Sequence, residues 1–320
     1  MIVGVVGIFL PDILGPGREA MNAVLTSPQE FTVVLLLALG FAKLLMTGLS
    51  IAGGFVGGVF APSLYMGAMA GAAVGMLVNE YAPTADSVSR DYALVTTLEE
   101  LDALIAELRA AGEFACRVVP SEPSAMRAAI VGIAFAAADR RARYVPLGHE
   151  DGQARTDLLA GADGPVRIDH DAALARLRPL LEDDSVRKVG HDLKFEVVVF
   201  GRHGISVRGL AFDSMLASYL LDATRPGHPL EETSLEHLGY RALTQEDVCG
   251  RGAKAVPFAR VAPEALLTYA GERADLARQL SHRLAPLLVT DGLEPVYRDL
   301  EIPLVPVRAD LERGGLRIDG

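Results

Sequence analysis

EFACRVVP (113–120), AAIVGIAFAA (128–137) and RARYVP (141–146) follow one another with only short polar breaks. Each is rich in β-branched and apolar residues, so the run reads as three consecutive strands. The first carries Arg117 at a position that period-2 alternation aims inward. Upstream, YALVTT (92–97) reads as a strand and LEELDALIAELRAAG (98–112) as a helix, with Thr97 and Glu100 spaced as a capping box and Gly112 as its stop. Downstream, ALARLRPLLEDD (173–184) reads as a helix and VRKVG (186–190) as a strand, with further helices over 192–202 and 213–221. Early strands followed by alternating helices and strands predict an α/β fold, a mixed sheet flanked by helices.

Composition divides the chain. The first 83 residues hold only Asp12, Arg18, Glu19, Glu30, Lys43 and Glu80, a net charge of -2, which leaves -9 of the total -11 to the remainder. FTVVLLLALGFAKLLMTGLS (31–50) is long enough for a membrane-spanning helix, and its single charge, Lys43, must snorkel or face protein. A soluble core helix is the competing reading. The start lacks the basic region and cleavage site of a signal peptide. In GGFVGGVFAPSLYMGAMAGAAVG (53–75) a glycine-rich turn enters a helix whose Gly67, Gly71 and Gly75 form a stripe suited to close helix packing. APTADSVSRD (82–91) reads as a linker. Cys116 and Cys249 stand in neither CxxC nor zinc spacing, and the seven histidines show no metal-binding spacing.

FLPDILGPG (9–17), KLLMTGLSIAGGFVGGVFAP (43–62) and SLYMGAMAGAAVG (63–75) resemble the later half of CLC chloride channels and transporters. The resemblance covers about residues 1–82 and implies an all-α membrane segment. By position it gives Val59 and Phe60 the role of offering main-chain amides to an anion, so chloride is an implied ligand. The family's serine loop, gating glutamate and late pore tyrosine have no counterpart, and no closed pathway is expected from this piece.

YALVTTLEELDALIAEL, IVGIAFA, ARYVPLGH, PLLEDDSVRKVGHDLKFE, GLAFDSMLASYLLD, TYAGERADLARQL and YRDLEIPLVPVRADLERGGLRIDG are similar, in family order, to the 3'-5' exonuclease domain of family A DNA polymerases. This resemblance implies an RNase H-like fold and three regions: a CLC-like segment over 1–83, an exonuclease-like domain over 84–298, and over 299–320 the start of a polymerase domain. It implies DNA as partner, a cytoplasmic soluble domain, and attachment to a membrane through residues 1–83. The family's chemistry uses two divalent metals, Mg2+ or Mn2+, held by four acids beside a tyrosine. An ungapped alignment places Arg117 and Val119 at the first motif's two acids, Glu196 at the second motif's aspartate, Tyr269 at the tyrosine and Arg273 at the last aspartate. One acid of four remains, and guanidinium groups repel metal ions. No metal site or bound metal is therefore expected unless nuclease activity is retained.

Arg117, Glu196 and Arg273 are expected in one cleft, with Glu196 within hydrogen-bonding reach of an arginine; the alternative for Arg117 is an edge strand facing water. Asp213 is expected to cap the helix at 214–221 and Asp192 the helix at 193–200, while Asp275 points away from the lost acid's position. Arg251 and Lys254 in CGRGAKAVPF (249–258) are candidate phosphate contacts. The acidic balance opposes tight independent nucleic-acid binding. Three functions stay open: a catalytically degenerate structural module, a residual metal-dependent exonuclease, and a component of an anion pathway.

Overall fold

A computed structural model of the chain describes residues 17–26, 31–53, 60–150 and 168–315. They divide into two units, residues 1–82 and 83–320.

The first unit contains α1 (Arg18–Thr26), α2 (Val33–Ala52) and α3 (Phe60–Tyr81). Thr32 caps α2, its hydroxyl accepting from the Leu35 amide. Leu36, Leu39 and Lys43 of α2 are buried in one cluster with Tyr65, Met69 and Ala73 of α3. Lys43 thus faces protein, with its ammonium 5.2 Å from the centre of the Tyr65 ring. The remaining surface of both helices is largely apolar and exposed, including Val34, Phe41, Leu44 and Leu49 on α2 and Leu64 and Val78 on α3. A soluble core helix would have buried these side chains, so the surface disfavours that reading. Both helices are long and apolar enough to cross a membrane. The Gly67, Gly71 and Gly75 stripe is not used for packing among the described residues, because a Cβ at any of them would meet nothing within 4 Å. Val59 lies outside the described residues; Phe60 opens α3 with its side chain exposed.

The second unit is a six-stranded sheet of β1 (Asp91–Leu94), β2 (Glu113–Pro120), β3 (Ile130–Ala138), β4 (Arg141–Pro146), β5 (Arg187–Gly190) and β6 (Leu210–Asp213). The spatial order is β1-β4-β3-β2-β5-β6. β2, β3 and β4 pair antiparallel, and β1 on β4, β5 on β2 and β6 on β5 pair parallel, so the sheet is mixed. β2 is an inner strand, and Arg117 is not on an edge.

Helices cover both faces. On one lie α4 (Leu98–Ala111), α5 (His170–Leu181) and α6 (Leu193–Arg202). On the other lie α7 (Ser214–Leu221), α8 (Leu230–Leu238), the short α9 (Gln245–Cys249) and the 28-residue α10 (Pro263–Thr290). Alternation along β2 sends Phe114, Cys116 and Val118 into the first core and Ala115 and Val119 into the second. Arg117 shares the parity of Ala115 and Val119 and so projects toward the face covered by α10. The Thr97–Glu100 capping box and left-handed Gly112 bound α4. α10 approaches β1 so closely that a Cβ on Gly271 would come within 2.6 Å of the Tyr92 ring.

Residues beyond α10 pass through a wide turn (Tyr297–Glu301) into α11 (Ile302–Gly314). Val305 and Ala309 are buried in the same core as α6, and Arg313 donates to the Gly201 carbonyl at 3.0 Å. Residues 299–314 thus pack as part of this unit.

Candidate active site

Glu196 sits in the first turn of α6, beside the carboxyl end of β2, and its side chain is only 2% exposed. One carboxylate oxygen accepts from the Val118 amide at 2.8 Å, and the other accepts from Arg117 Nη1 at 3.1 Å. The same Nη1 donates to the His191 carbonyl at 3.2 Å, and the guanidinium lies 5.2 Å from the Phe195 ring centre. Arg117 retains 26% side-chain exposure, so one side of the guanidinium meets solvent. Burial pushes the Glu196 carboxyl up to about 7, against the opposing pull of Arg117 and of the Val118 amide.

Tyr269 and Arg273 lie one turn apart on α10, and the guanidinium stacks 4.5 Å from the Tyr269 ring centre. Arg273 Nη2 donates to Glu231 in the first turn of α8 and, at 2.9 Å, to the Leu243 carbonyl. Its Nε is buried without a hydrogen-bond partner. Burial favours the protonated acid of Glu231, but the bond and charge of Arg273 hold it below the ordinary carboxylate range. Burial raises the Tyr269 hydroxyl, opposed by the charges of Arg273 and Arg117. His191, between β5 and α6, is driven down to about 3 by burial and then by the same two arginines. Both guanidiniums therefore act on one set of neighbours. The structure pairs Arg117 with Glu196 and stacks Arg273 on Tyr269, two pairs whose guanidiniums both act on His191, and Val119 is buried in the core next to Arg117.

Two side chains were not singled out in the sequence for what they do here. Glu231 reads as an ordinary acid in a helical first turn, and only the tertiary fold sets it on Arg273. Asp213 does cap α7, accepting from the Met215 amide at 2.9 Å. It also takes the amides of Asp192 and Leu193 at 3.1 and 2.7 Å, at the start of α6. Asp192 therefore does not cap α6 as expected: it occupies the N-cap position with a left-handed φ of 65° and makes no side-chain cap bond. The left-handed backbone turns its amide toward Asp213 instead. Asp275 points elsewhere, accepting from the Tyr92 hydroxyl at 2.6 Å, the Arg140 amide at 2.8 Å and Gln279. Arg251 is exposed and paired with Glu246 at 2.8 Å, and Lys254 is exposed; neither contacts the cluster among the described residues.

A pair of magnesium ions needs several convergent hard oxygen ligands. Here the Glu196 carboxylate is already bonded to an amide and a guanidinium, and Arg117, Val119 and Arg273 offer no side-chain oxygen to a metal. Among the described residues no group of three or more His, Cys, Asp or Glu could hold a metal ion. This donor set does not fit Mg2+ or Mn2+.

A mixed sheet with helices on both faces, carrying this cluster at the end of β2, is the architecture of RNase H-like exonucleases. It aligns with the POL domain of Pol1 from M. smegmatis at a TM-score of 0.52, with 19% identity over 71% of this chain and 32% of that one. It also aligns with Escherichia coli RNase D, an exoribonuclease, at a TM-score of 0.50, with 16% identity over 68% of this chain and 50% of that one. The 3'-5' exonuclease family model matches residues 92–289, and the chain belongs to this family. DNA polymerase I of Pseudomonas aeruginosa is 36% identical over 244 residues, 75% of this chain and 26% of that protein. DNA polymerase I of Rhizobium leguminosarum is 38% identical over 237 residues, 71% and 23% respectively. The second unit is thus a 3'-5' exonuclease domain of the DNA polymerase I type, and the chain spans about a quarter of these relatives' length. The voltage gated chloride channel model matches residues 1–99. Its last residues overlap the exonuclease match, but Asp91–Leu94 pair with Arg141–Tyr144 in the sheet and belong structurally to the second unit.

Proposed function

We propose that the exonuclease domain is catalytically degenerate and serves as a structural, weakly nucleic-acid-binding module. The observation that carries this reading is the Arg117–Glu196 pair: the one family-position carboxylate is neutralised by a guanidinium standing where a metal-binding acid is expected. Such a pair satisfies a buried carboxylate without an ion. Arg251 and Lys254, both exposed, are the proposed contacts to DNA phosphates. The exonuclease-like domain is proposed to begin at residue 84, with residues 299–320 leading toward a polymerase domain. The first unit is a CLC-type fragment that attaches the chain to a membrane through α2 and α3, whose exposed apolar surfaces support that role. The soluble unit then lies on the cytoplasmic side. Val59 and Phe60 remain the candidate chloride contacts of that fragment.

Mn2+ titration of the full-length chain in detergent, followed calorimetrically, tests the site. The expected result is no saturable binding attributable to Glu196. One or two sites that disappear in Glu196→Gln would restore the reading of a metal-dependent exonuclease.

A further inference from the structure

At the β1 edge of the sheet a cavity of about 140 Å3 opens among residues that take no part in the Glu196 cluster. Arg90 and Arg140 line it, with Tyr92, Tyr240, Asp275 and Gln279. The Arg90 guanidinium lies 5.7 Å from the centre of the Tyr92 ring and donates from Nη2 to the Thr268 hydroxyl at 3.4 Å. Its ion pair, at 3.9 Å, is with the fully exposed Asp86. Its Nη1 is buried without a hydrogen-bond partner, and a buried donor left unpaired is destabilising. The Arg140 side chain is exposed and makes no hydrogen bond or ion pair among the described residues. Its backbone is fixed: the amide donates to Asp275 at 2.8 Å, the carbonyl accepts from the Asp91 amide at 2.8 Å, and φ is 61°. Glycine adopts that left-handed conformation without penalty, so the turn itself gives no reason for an arginine.

The acids around this cavity are already satisfied. Asp275 accepts from the Tyr92 hydroxyl, the Arg140 amide and Gln279. Glu272, close to Arg90, accepts from the Tyr240 hydroxyl and the Leu243 amide, and burial raises its carboxyl toward the neutral form. Two permanently charged guanidiniums therefore stand against one saturated carboxylate. We propose that this cavity is an oxyanion site, in which a phosphate or phosphomonoester group accepts from Arg90 Nη1 and from the Arg140 guanidinium. Guanidinium donors match phosphate oxygens. The volume sets the ligand: it equals that of four or five waters at about 30 Å3 each, room for the phosphate group itself. Pockets that enclose a whole small molecule run from about 300 Å3, so any esterified remainder lies outside the cavity. Two sources carry this chemistry, free phosphate and the phosphomonoester headgroup of a lipid. The second arises because Arg90 stands nine residues after Tyr81, the end of α3, and it rests on the membrane attachment proposed above.

The test is calorimetric titration of the full-length chain in detergent with inorganic phosphate and, separately, with dihexanoyl phosphatidate. Saturable phosphate binding is expected, weakened about tenfold by Arg90→Gln. Arg140→Gly should weaken it by a similar factor, since it removes the guanidinium while giving the left-handed turn the residue that turn favours. Arg140→Gly breaks no side-chain hydrogen bond among the described residues, so it reads the site even where Arg90→Gln loses its fold. Arg90→Lys, which keeps the charge but loses the fork, should recover only part of the affinity. Phosphatidate binding tighter than phosphate and weakened by the same variants identifies a lipid headgroup as the source; phosphatidate binding no tighter than phosphate identifies free phosphate. No saturable binding of either probe overturns the proposal, because the cavity then holds water alone. Binding unchanged by Arg90→Gln and Arg140→Gly also overturns it, because the anion then sits elsewhere, and its loss in Arg117→Gln would put it beside Glu196.

Discussion

Replacing Arg117 with methionine removes the guanidinium but keeps much of the apolar stem over Phe195. Glu196 is then left with a single partner, the Val118 amide, in a position where its side chain is 2% exposed. Removing one member of a buried pair costs about 3–5 kcal/mol, and the partial exposure of Arg117 favours the lower end. Part of that cost depends on pH, with a sign fixed by the structure. The folded carboxyl is already raised to about 7, so the stability it contributes is full at low pH and declines as pH rises from its unfolded value toward 7. Without Arg117 the carboxyl rises further and stays protonated at pH 8, and the added cost there is limited to the one unit between about 7 and pH 8, about 1.36 kcal/mol. At pH 5.5 Glu196 is protonated in both folded proteins, and this contribution vanishes. His191, held down to about 3, is neutral at both pH values and does not alter the difference. Urea unfolding of residues 83–320, followed by far-ultraviolet circular dichroism, should show a loss about 1 kcal/mol larger at pH 8 than at pH 5.5. A loss independent of pH, or one larger at pH 5.5, would refute the assignment of Arg117 as the counter-ion of Glu196.

The same experiment presupposes that residues 83–320 fold cooperatively without the first unit, as expected of a compact unit with its own two-sided core; aggregation of this fragment beside a soluble full-length chain would contradict the boundary. Asp213→Ala removes the acceptor for amides at the starts of both α6 and α7 and should cost about 2–3 kcal/mol, more than a single helix cap, in urea unfolding. Gly271→Leu forces a side chain against the Tyr92 ring where even a Cβ would lie 2.6 Å away, and should lower the thermal midpoint by several degrees, roughly as a 1–3 kcal/mol overpacking penalty requires.

The strands at 113–146, the capping box of α4 and the convergence of Arg117 with Glu196 were legible in the sequence because local period and an ordered set of motifs carry them. The inward aim of Arg117 was legible for the same reason: alternation along β2 places it with Ala115 and Val119 on the α10 face. What escaped depends on partners distant in sequence. Glu231 stands 42 residues from Arg273, and no spacing rule links a first-turn acid of one helix to the middle of another. Asp192 was misread because a residue beside a helix start usually caps it, whereas a left-handed backbone here turns its amide toward Asp213. α10 continues through Pro286, where a proline would ordinarily suggest a stop.

The account's central claim is that guanidinium groups have replaced metal-binding acids in an exonuclease fold, and the most direct measurement is nuclease activity itself. Full-length protein in detergent is incubated with 5'-labelled single-stranded DNA and Mn2+, with Glu196→Gln as the matched control, and the products are resolved by length. The account predicts that the wild type and Glu196→Gln give the same background, with no ladder of shortened strands. Progressive Mn2+-dependent shortening from the 3' end that is lost in Glu196→Gln would contradict it.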